Sequence, residues 1–287
     1  MKTWGEIIAL AADYLRRQGI TDAQTSAELL AARLLCCGRG FLVNHLTKEV
    51  PESRLEAMRR GMLRLAREEP VQYVIGEWDF RGLTLKCDSR ALIPRPETEE
   101  LVEKVLGHLR SAGRKQFVVD LGTGSGCIVL SLAKEFPDGI YLGVDVSPEA
   151  VALARENAAR CGLDGNVRFA VTDGLDEFDP ETVDVIVSNP PYVSTAEYEA
   201  LDPSVKMFEP RLALDGGEEG LEYYERFVGD ALNVLKPGGA LFFEIGESQG
   251  DALRRMFAEY GFGDVKVEKD FAGHDRYVSG VLGGVQE

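Results

Sequence analysis

The sequence predicts an α/β protein in which a parallel, doubly wound sheet follows a small helical region and a β-hairpin connector. Three observations carry this expectation. From about residue 95 onward, short apolar runs alternate with helical periodicities, the pattern of a parallel sheet covered by helices. The first 75 residues hold only amphipathic helical patterns. Between the two, Gly76, Gly82 and the alternating Leu83-Thr84-Leu85-Lys86-Cys87 read as a hairpin. The expected boundaries are residues 1–75 for the helical domain, 76–94 for the hairpin linker and 95–287 for the α/β domain.

Taken in order, Thr3-x-x-Glu6 and Thr21-x-x-Gln24 are capping-box patterns ahead of apolar helical runs. Leu29, Leu30, Leu34 and Leu35 predict one buried stripe, and Leu55, Met58, Met62 and Leu65 a third amphipathic helix. The other face of that helix carries Arg54, Arg59, Arg60, Arg64 and Arg67, a solvated charged face or a docking surface. Pro94 and Pro96 stiffen a turn before a helix starting near Glu97. Strands are expected at 116–121, 139–144, 167–171, 183–188 and 240–245, with helices at 127–136, 148–161, 221–235 and 251–260. Ser147 and Pro148 supply the N-cap and first turn of one helix, and Lys236-Pro237-Gly238-Gly239 leads into the last of these strands. Two more strand-like runs close the chain. No internal repeat or low-complexity tract interrupts it.

Bulk properties narrow the function classes. The formal net charge of −16 disfavours bare DNA or RNA as the main ligand, because such proteins need a positive surface to displace counterions. No apolar run approaches the roughly 20 residues needed to cross a bilayer. The start, Met1-Lys2-Thr3-Trp4-Gly5-Glu6, lacks a secretory layout, so a cytoplasmic location is expected. Five cysteines, Cys36, Cys37, Cys87, Cys127 and Cys161, form no Cys-x-x-Cys pair, and His45, His108 and His274 are scattered, so no metal is expected. Cys36 and Cys37 follow a Leu-rich helix and read as buried thiols.

The cofactor signal lies in Phe117-Val118-Val119-Asp120-Leu121-Gly122-Thr123-Gly124-Ser125-Gly126, an apolar strand entering a glycine-rich turn. Glycines there let backbone approach a ligand closely, at the end of a strand where nucleotides bind in such sheets. The spacing Gly-x-Gly-x-Gly departs from the dinucleotide pattern of a Rossmann oxidoreductase. Asp120 at the strand end suits a ligand carrying a positive centre and an amino group. Asp145, ending the next strand, is placed to accept from two ribose hydroxyls. The constellation resembles the class I methyltransferases over roughly residues 95–287, with a Rossmann-like sheet. The resemblance implies S-adenosylmethionine as cofactor and S-adenosylhomocysteine as product. It also places Asp120 and Gly122, Thr123, Gly124, Ser125 and Gly126 along the methionine part, Asp145 at the ribose and Asp173 at the adenine amino group, with Gly174 beside it.

The catalytic signal is Val185-Ile186-Val187-Ser188-Asn189-Pro190-Pro191-Tyr192. A strand delivers Asn189 to the sheet edge, and the two prolines fix the backbone while donating no N–H. The Asn189 side-chain carbonyl and the Pro190 carbonyl can accept both hydrogens of one –NH2, with Tyr192 flat against the planar group bearing it. An amide or aromatic amine nitrogen is a poor nucleophile; two acceptors on its hydrogens return electron density and aim its lone pair. Exocyclic amines of bases and the amide of glutamine both fit.

Further motifs separate these substrates. Pro70-Val71-Gln72-Tyr73-Val74-Ile75-Gly76, Leu92-Ile93-Pro94-Arg95-Pro96-Glu97-Thr98-Glu99, Phe208-Glu209-Pro210, Phe243-Glu244-Ile245-Gly246 and Asp270-Phe271-Ala272-Gly273-His274-Asp275-Arg276 resemble the peptide chain release factor N5-glutamine methyltransferases. The resemblance implies methylation of the glutamine in the Gly-Gly-Gln loop of class 1 release factors, gripped by the helical domain, without a membrane or direct nucleic-acid partner. It also implies that Glu209 and Pro210 lie near the pocket; a turn bracing the strand edge is the other reading of them. Gly174 stands where relatives commonly carry a bulkier side chain, and Glu69 replaces a glycine before Pro70. Alternatives are a ribosomal-protein glutamine methyltransferase, a nucleic-acid adenine N6-methyltransferase and a non-catalytic module retaining the fold.

Overall fold

A computed structural model of the chain describes residues 2–283. It forms two compact units: the residues through Trp78 together with Asp202–Phe208, and Asp79–Leu201 together with the residues from Glu209 on.

In the first unit, α1 (Trp4–Arg17) starts at the capping box read from sequence, with Glu6 N donating to Thr3 Oγ1 and Thr3 N to Glu6 Oε2. It buries Trp4, Ile7, Ile8, Ala11 and Leu15, one face at three- and four-residue steps. The second predicted capping box does not form. α2 (Ala23–Leu35) follows Asp22, which makes no side-chain cap bond, and Gln24 is held instead by Arg16 at 3.1 Å and Glu28 at 2.7 Å. The predicted leucine stripe is also corrected. Only Leu30 is fully buried, and the packed face is mainly small: Ala23, Ala27 and Ala31. A methyl group on Gly61 of α3 (Glu52–Leu65) would come within 2.5 Å of Leu30 Cδ2, so α2 and α3 close on that glycine. Cys36 is exposed, not buried, because the chain turns there in a left-handed conformation at the end of α2 (φ 53°).

The arginine face of α3 divides. Arg59 and Arg60 reach Glu52 and Glu56 in solvent, pairs worth little to stability. Arg64 pairs with Glu69 and donates to the carbonyls of Tyr73 (3.0 Å) and Val74 (3.3 Å), which belong to α4 (Val71–Ile75). The acid that replaces the glycine before Pro70 thus anchors the arginine that holds this short helix.

The predicted hairpin forms from β1 (Glu77–Phe80) and β2 (Leu83–Lys86). The chain continues through α5 (Pro96–Ala112), β3 (Phe117–Leu121), α6 (Cys127–Glu135), β4 (Ile140–Asp145), α7 (Pro148–Arg160), β5 (Val167–Val171) and β6 (Val183–Ser188). Two short helices missed in the sequence follow, α8 (Thr195–Ala200) and α9 (Pro203–Phe208). Then come α10 (Glu222–Val234), β7 (Leu235–Glu244), α11 (Gly250–Glu259), β8 (Phe262–Lys269) and β9 (Asp275–Leu282). Among the described residues the sheet has seven strands in the order β5-β4-β3-β6-β7-β9-β8.

The first five of these strands are parallel, as the alternation predicts, and the last strand-like run, β9, runs antiparallel to both β7 and β8. Only the turn at 270–274 joins β8 to β9. A parallel pairing would need a crossover of a dozen or more residues, so the last strand must double back. β7 is also longer than read: Leu235 already pairs with Val183, and Lys236–Gly239 bulge before the register resumes at Ala240.

Alternate residues of the central strands face two cores. Val118, Val185 and Val187 meet α5 and α6 through Leu101, Val105 and Val129. Val119, Ile186, Leu241 and Phe243 meet α10 and α11 through Val228, Ala231, Leu253 and Phe257. Strand order reverses between β3 and β6, and the crevice beyond their carboxyl ends is where ligands bind in such sheets.

Candidate active site

The register Leu121↔Ser188 puts the glycine-rich turn after β3 beside the Asn-Pro-Pro turn after β6. Ser188 Oγ donates to the Leu121 carbonyl at 2.5 Å and ties the two exits together. They border a cleft with about 1040 Å³ of space free of protein atoms, counting its open mouth. Gly122, Thr123, Gly124, Ser125, Asp145, Asp173, Gly174, Asn189, Pro190 and Pro191 all line it. Because β6 is an interior strand, Asn189 stands on the carboxyl rim and not at a side edge.

The turn after β3 is held from below and behind. Gly122 and Gly124 have positive φ (75° and 54°), the conformation that glycine adopts without a Cβ penalty. Gly122 N and Thr123 N both donate to the Val144 carbonyl. Asp145 accepts Gly124 N and Ser147 N, each at 2.9 Å, so it joins two loops while lining the cleft; burial pushes its carboxyl up. Asp120 and Gly126 do not line the cleft. Gly126 caps α6 against Leu130 and Ala154. Asp120 is completely buried beneath the turn, where Oδ2 accepts Thr123 Oγ1 (2.7 Å) and Val129 N (3.3 Å). Its Oδ1 has no partner among the described atoms, and burial pushes the group up to about 7.

At the far end, Asp173 is exposed and pairs with Arg226 at 2.7 Å. Gly174 has φ 93°, and a Cβ there would meet Arg226 Nη2 at 2.6 Å and Asp230 Oδ2 at 2.9 Å. The space that a larger residue would take is therefore filled from α10. Tyr223 and Phe227 of the same helix supply apolar walls, edge to face at 5.8 Å. Their four-residue spacing on an amphipathic helix is the sequence signal for this wall.

At the other end, Asn189 Nδ2 donates to Thr98 Oγ1 at 3.2 Å, leaving the side-chain oxygen as the unengaged end of the amide. Thr98 Oγ1 donates in turn to Glu244 Oε2 at 2.7 Å. Tyr192 departs from expectation. It does not line the cleft, and its ring packs against the α10–α11 core while its carbonyl accepts from Gln249 Nε2. Burial pushes its hydroxyl up. Glu209 likewise does not line the cleft, although Pro210 does. It is buried and braces the wall, accepting Ile93 N at 3.2 Å and Arg95 Nη2 at 2.6 Å. Glu209 thus stands directly behind the cleft-lining Ile93 and Arg95, beside the pocket but not in its lining.

Sequence reasoning also missed Asn157. It is completely buried on α7, accepts Lys86 N at 2.6 Å, and donates to Lys86 O (3.2 Å) and Ser125 O (2.9 Å). One amide thereby fastens β2 to the glycine-rich turn. A polar residue amid Ala150, Ala154 and Ala158 on a buried helix face was its only signal. Among the described residues, no group of three or more His, Cys, Asp or Glu side chains is arranged to hold a metal, and no helix is long and apolar enough to cross a membrane.

Comparison with known proteins bears on both ends of the chain. The PrmC N-terminal domain model matches residues 6–76, and the methyltransferase small domain model matches residues 100–211. The release factor glutamine methyltransferase of Geobacter sulfurreducens is 40% identical over 272 residues, 94% of this chain and 93% of that protein. That of Caulobacter vibrioides is 38% identical over 287 residues, 98% of this chain and 96% of that protein. Among solved structures, a methyltransferase from Pyrococcus furiosus is similar in fold, with a TM-score of 0.52 at 22% identity, over 71% of this chain and 90% of that one.

Proposed function

Because the chain belongs to the release factor glutamine methyltransferases, we propose that its cleft receives the glutamine of the Gly-Gly-Gln loop of a class 1 release factor and methylates the side-chain nitrogen N5. The observation that carries the chemistry is the Asn189 amide, tied by its nitrogen to Thr98 beside a proline carbonyl. S-adenosylmethionine, when bound, supplies a methyl group on a positively charged sulfur and leaves as S-adenosylhomocysteine.

The residues present fit that cofactor. A buried carboxylate oxygen of Asp120 without a partner lies behind a turn whose glycines admit close backbone approach. Gly122, Thr123, Gly124 and Ser125 would take the methionine part, with Asp120 holding the turn from beneath through Thr123 and Val129. Asp145 would accept from the ribose hydroxyls. Asp173 and Gly174, with the rings of Tyr223 and Phe227, would receive the adenine.

On the substrate side, Asn189 Oδ1 and the Pro190 carbonyl accept the two amide hydrogens and turn the nitrogen lone pair toward the methyl donor. This is positioning with electrostatic help, and it acts on charge that develops during transfer. Pro191 stiffens the turn that presents both oxygens, Tyr192 anchors the residue after it through Gln249, and Glu209 braces the neighbouring wall at Ile93 and Arg95. An alkylated amide nitrogen is strongly acidic, so its proton passes to solvent without a dedicated strong base.

Incubation of the purified chain with release factor and methyl-labelled cofactor tests the reading. Label should appear on one glutamine by mass spectrometry and vanish when that glutamine is replaced. Asn189→Ala should lower turnover about 10²-fold or more while cofactor affinity stays near its original value. Strong labelling of RNA or DNA alone, with release factor unlabelled, would overturn it.

A further inference from the structure

An asparagine amide has nearly the same shape with its oxygen and nitrogen exchanged, yet only its oxygen can accept a hydrogen from a substrate –NH2. Something must therefore select the orientation of Asn189. We propose that Thr98 and Glu244 are positioning residues that hold the Asn189 amide with its oxygen toward the substrate, an inference that rests on Asn189 Oδ1 meeting the glutamine nitrogen.

The argument follows the hydrogens. Thr98, in the first turn of α5, and Glu244, at the end of β7, are each 2% exposed, so water does not supply alternative partners. An ionised carboxylate only accepts, so the single hydrogen of the Thr98 hydroxyl is committed to Glu244 Oε2 at 2.7 Å. The Thr98 oxygen can then only accept from its other neighbour, and Asn189 must present Nδ2–H to it, as found at 3.2 Å. Reversing the amide would set two oxygens against each other with no hydrogen between them. Three residues far apart in sequence thus form a one-way chain ending at the oxygen that the reaction needs.

The chain is directional only while Glu244 is ionised. Burial pushes Glu244 up to about 7, opposed by the hydrogen bond from Thr98 and by the charge of Arg276. The other titratable groups facing it are Glu97 at the start of α5, Tyr192 after β6, Tyr224 on α10, Tyr277 on β9 and Cys127 on α6. A protonated Glu244 can donate, which frees the Thr98 hydrogen to point either way.

The test is the pH dependence of kcat on release factor from about pH 5.5 to about pH 9, for the unaltered chain and for Glu244→Gln, Thr98→Val and Thr98→Ser. The unaltered enzyme should lose kcat as pH falls through about 7. Glu244→Gln, whose amide can donate or accept, should lower kcat about tenfold at high pH and abolish that acid limb. Thr98→Val should lose a similar factor and Thr98→Ser should recover to within about threefold, while KM for release factor and cofactor affinity by calorimetry stay within about twofold. If Glu244→Gln does not fold, the two Thr98 variants decide alone. The proposal is overturned if Thr98→Val keeps kcat within about twofold, or if the acid limb survives in Glu244→Gln. If Asn189→Ala also turns over normally, the reading of the site itself has failed and not only this relay.

Discussion

Replacing Glu209 with alanine should weaken the wall of the cleft without altering any group placed at the reacting atoms. Its side chain is 2% exposed and accepts from Ile93 N and Arg95 Nη2. Truncation strands a buried N–H, at a cost of about 1–3 kcal/mol, and removes the counter-charge of a guanidinium. Losing one member of a buried ion pair costs about 3–5 kcal/mol. Arg95 keeps 35% of its side chain exposed, however, so water recovers part of that loss. A net destabilisation of about 3 kcal/mol follows. Ile93, Pro94 and Arg95 all line the cleft. If binding must restore about 1.4 kcal/mol of the order lost there, affinity for S-adenosylmethionine falls about tenfold. Urea unfolding reads the first quantity and titration calorimetry the second. Glu209→Gln keeps an acceptor for Ile93 and should lose about half as much. A Glu209→Ala protein with the original urea midpoint and unchanged cofactor affinity would refute the bracing role. Loss of turnover alone, with both preserved, would place Glu209 at the substrate instead.

Asn157→Ala should cost about 2–4 kcal/mol in urea unfolding, because one buried and two part-buried backbone groups lose their partner at once. It should weaken cofactor binding as well by freeing the Ser125 carbonyl, and a variant as stable as the parent would contradict this. Asp120 gives a pH prediction. Burial raises it from 3.8 to about 7, so between those values the folded chain keeps a proton that the unfolded chain has released. Its contribution to stability is thus most favourable at low pH and is lost as pH rises toward 7. Comparing urea midpoints at about pH 5 and about pH 8, Asp120→Asn should show a shallower decline than the parent, with the remainder due to Glu244, whose shift has the same sign. Equal declines would show that Asp120 is not held protonated by its burial.

The parts of this protein that were legible in the sequence are those whose information is local. The turn after β3 needs positive φ at Gly122 and Gly124, and Asn189-Pro190-Pro191 needs free carbonyls beside an amide; both demands are written in consecutive residues. The apolar strands β3 and β6 were equally plain, since both faces are buried. Strand direction was not, because the side-chain pattern of β9 is the same read either way and only the short 270–274 turn betrays the reversal. Resemblance placed Glu209 near the pocket, but the direction of its carboxylate, toward Ile93 N and Arg95 behind the lining, depends on a segment more than a hundred residues away.

The residues that orient the site were hidden more deeply. Thr98 and Glu244 sit within motifs that carry the family resemblance but give no role to either side chain, and Asn157 reads as one polar position on an alanine-rich helix. Each acquires its role from a partner tens of residues away: 91 positions separate Thr98 from Asn189, and 146 separate it from Glu244. A hydroxyl and an amide have no fixed direction of donation until folding removes water and sets them in line with a carboxylate that can only accept. The functional asymmetry of Asn189 is therefore a property of the packed β6, β7 and α5 together, and substitutions at Thr98 or Glu244 should disturb chemistry while leaving the motif itself intact.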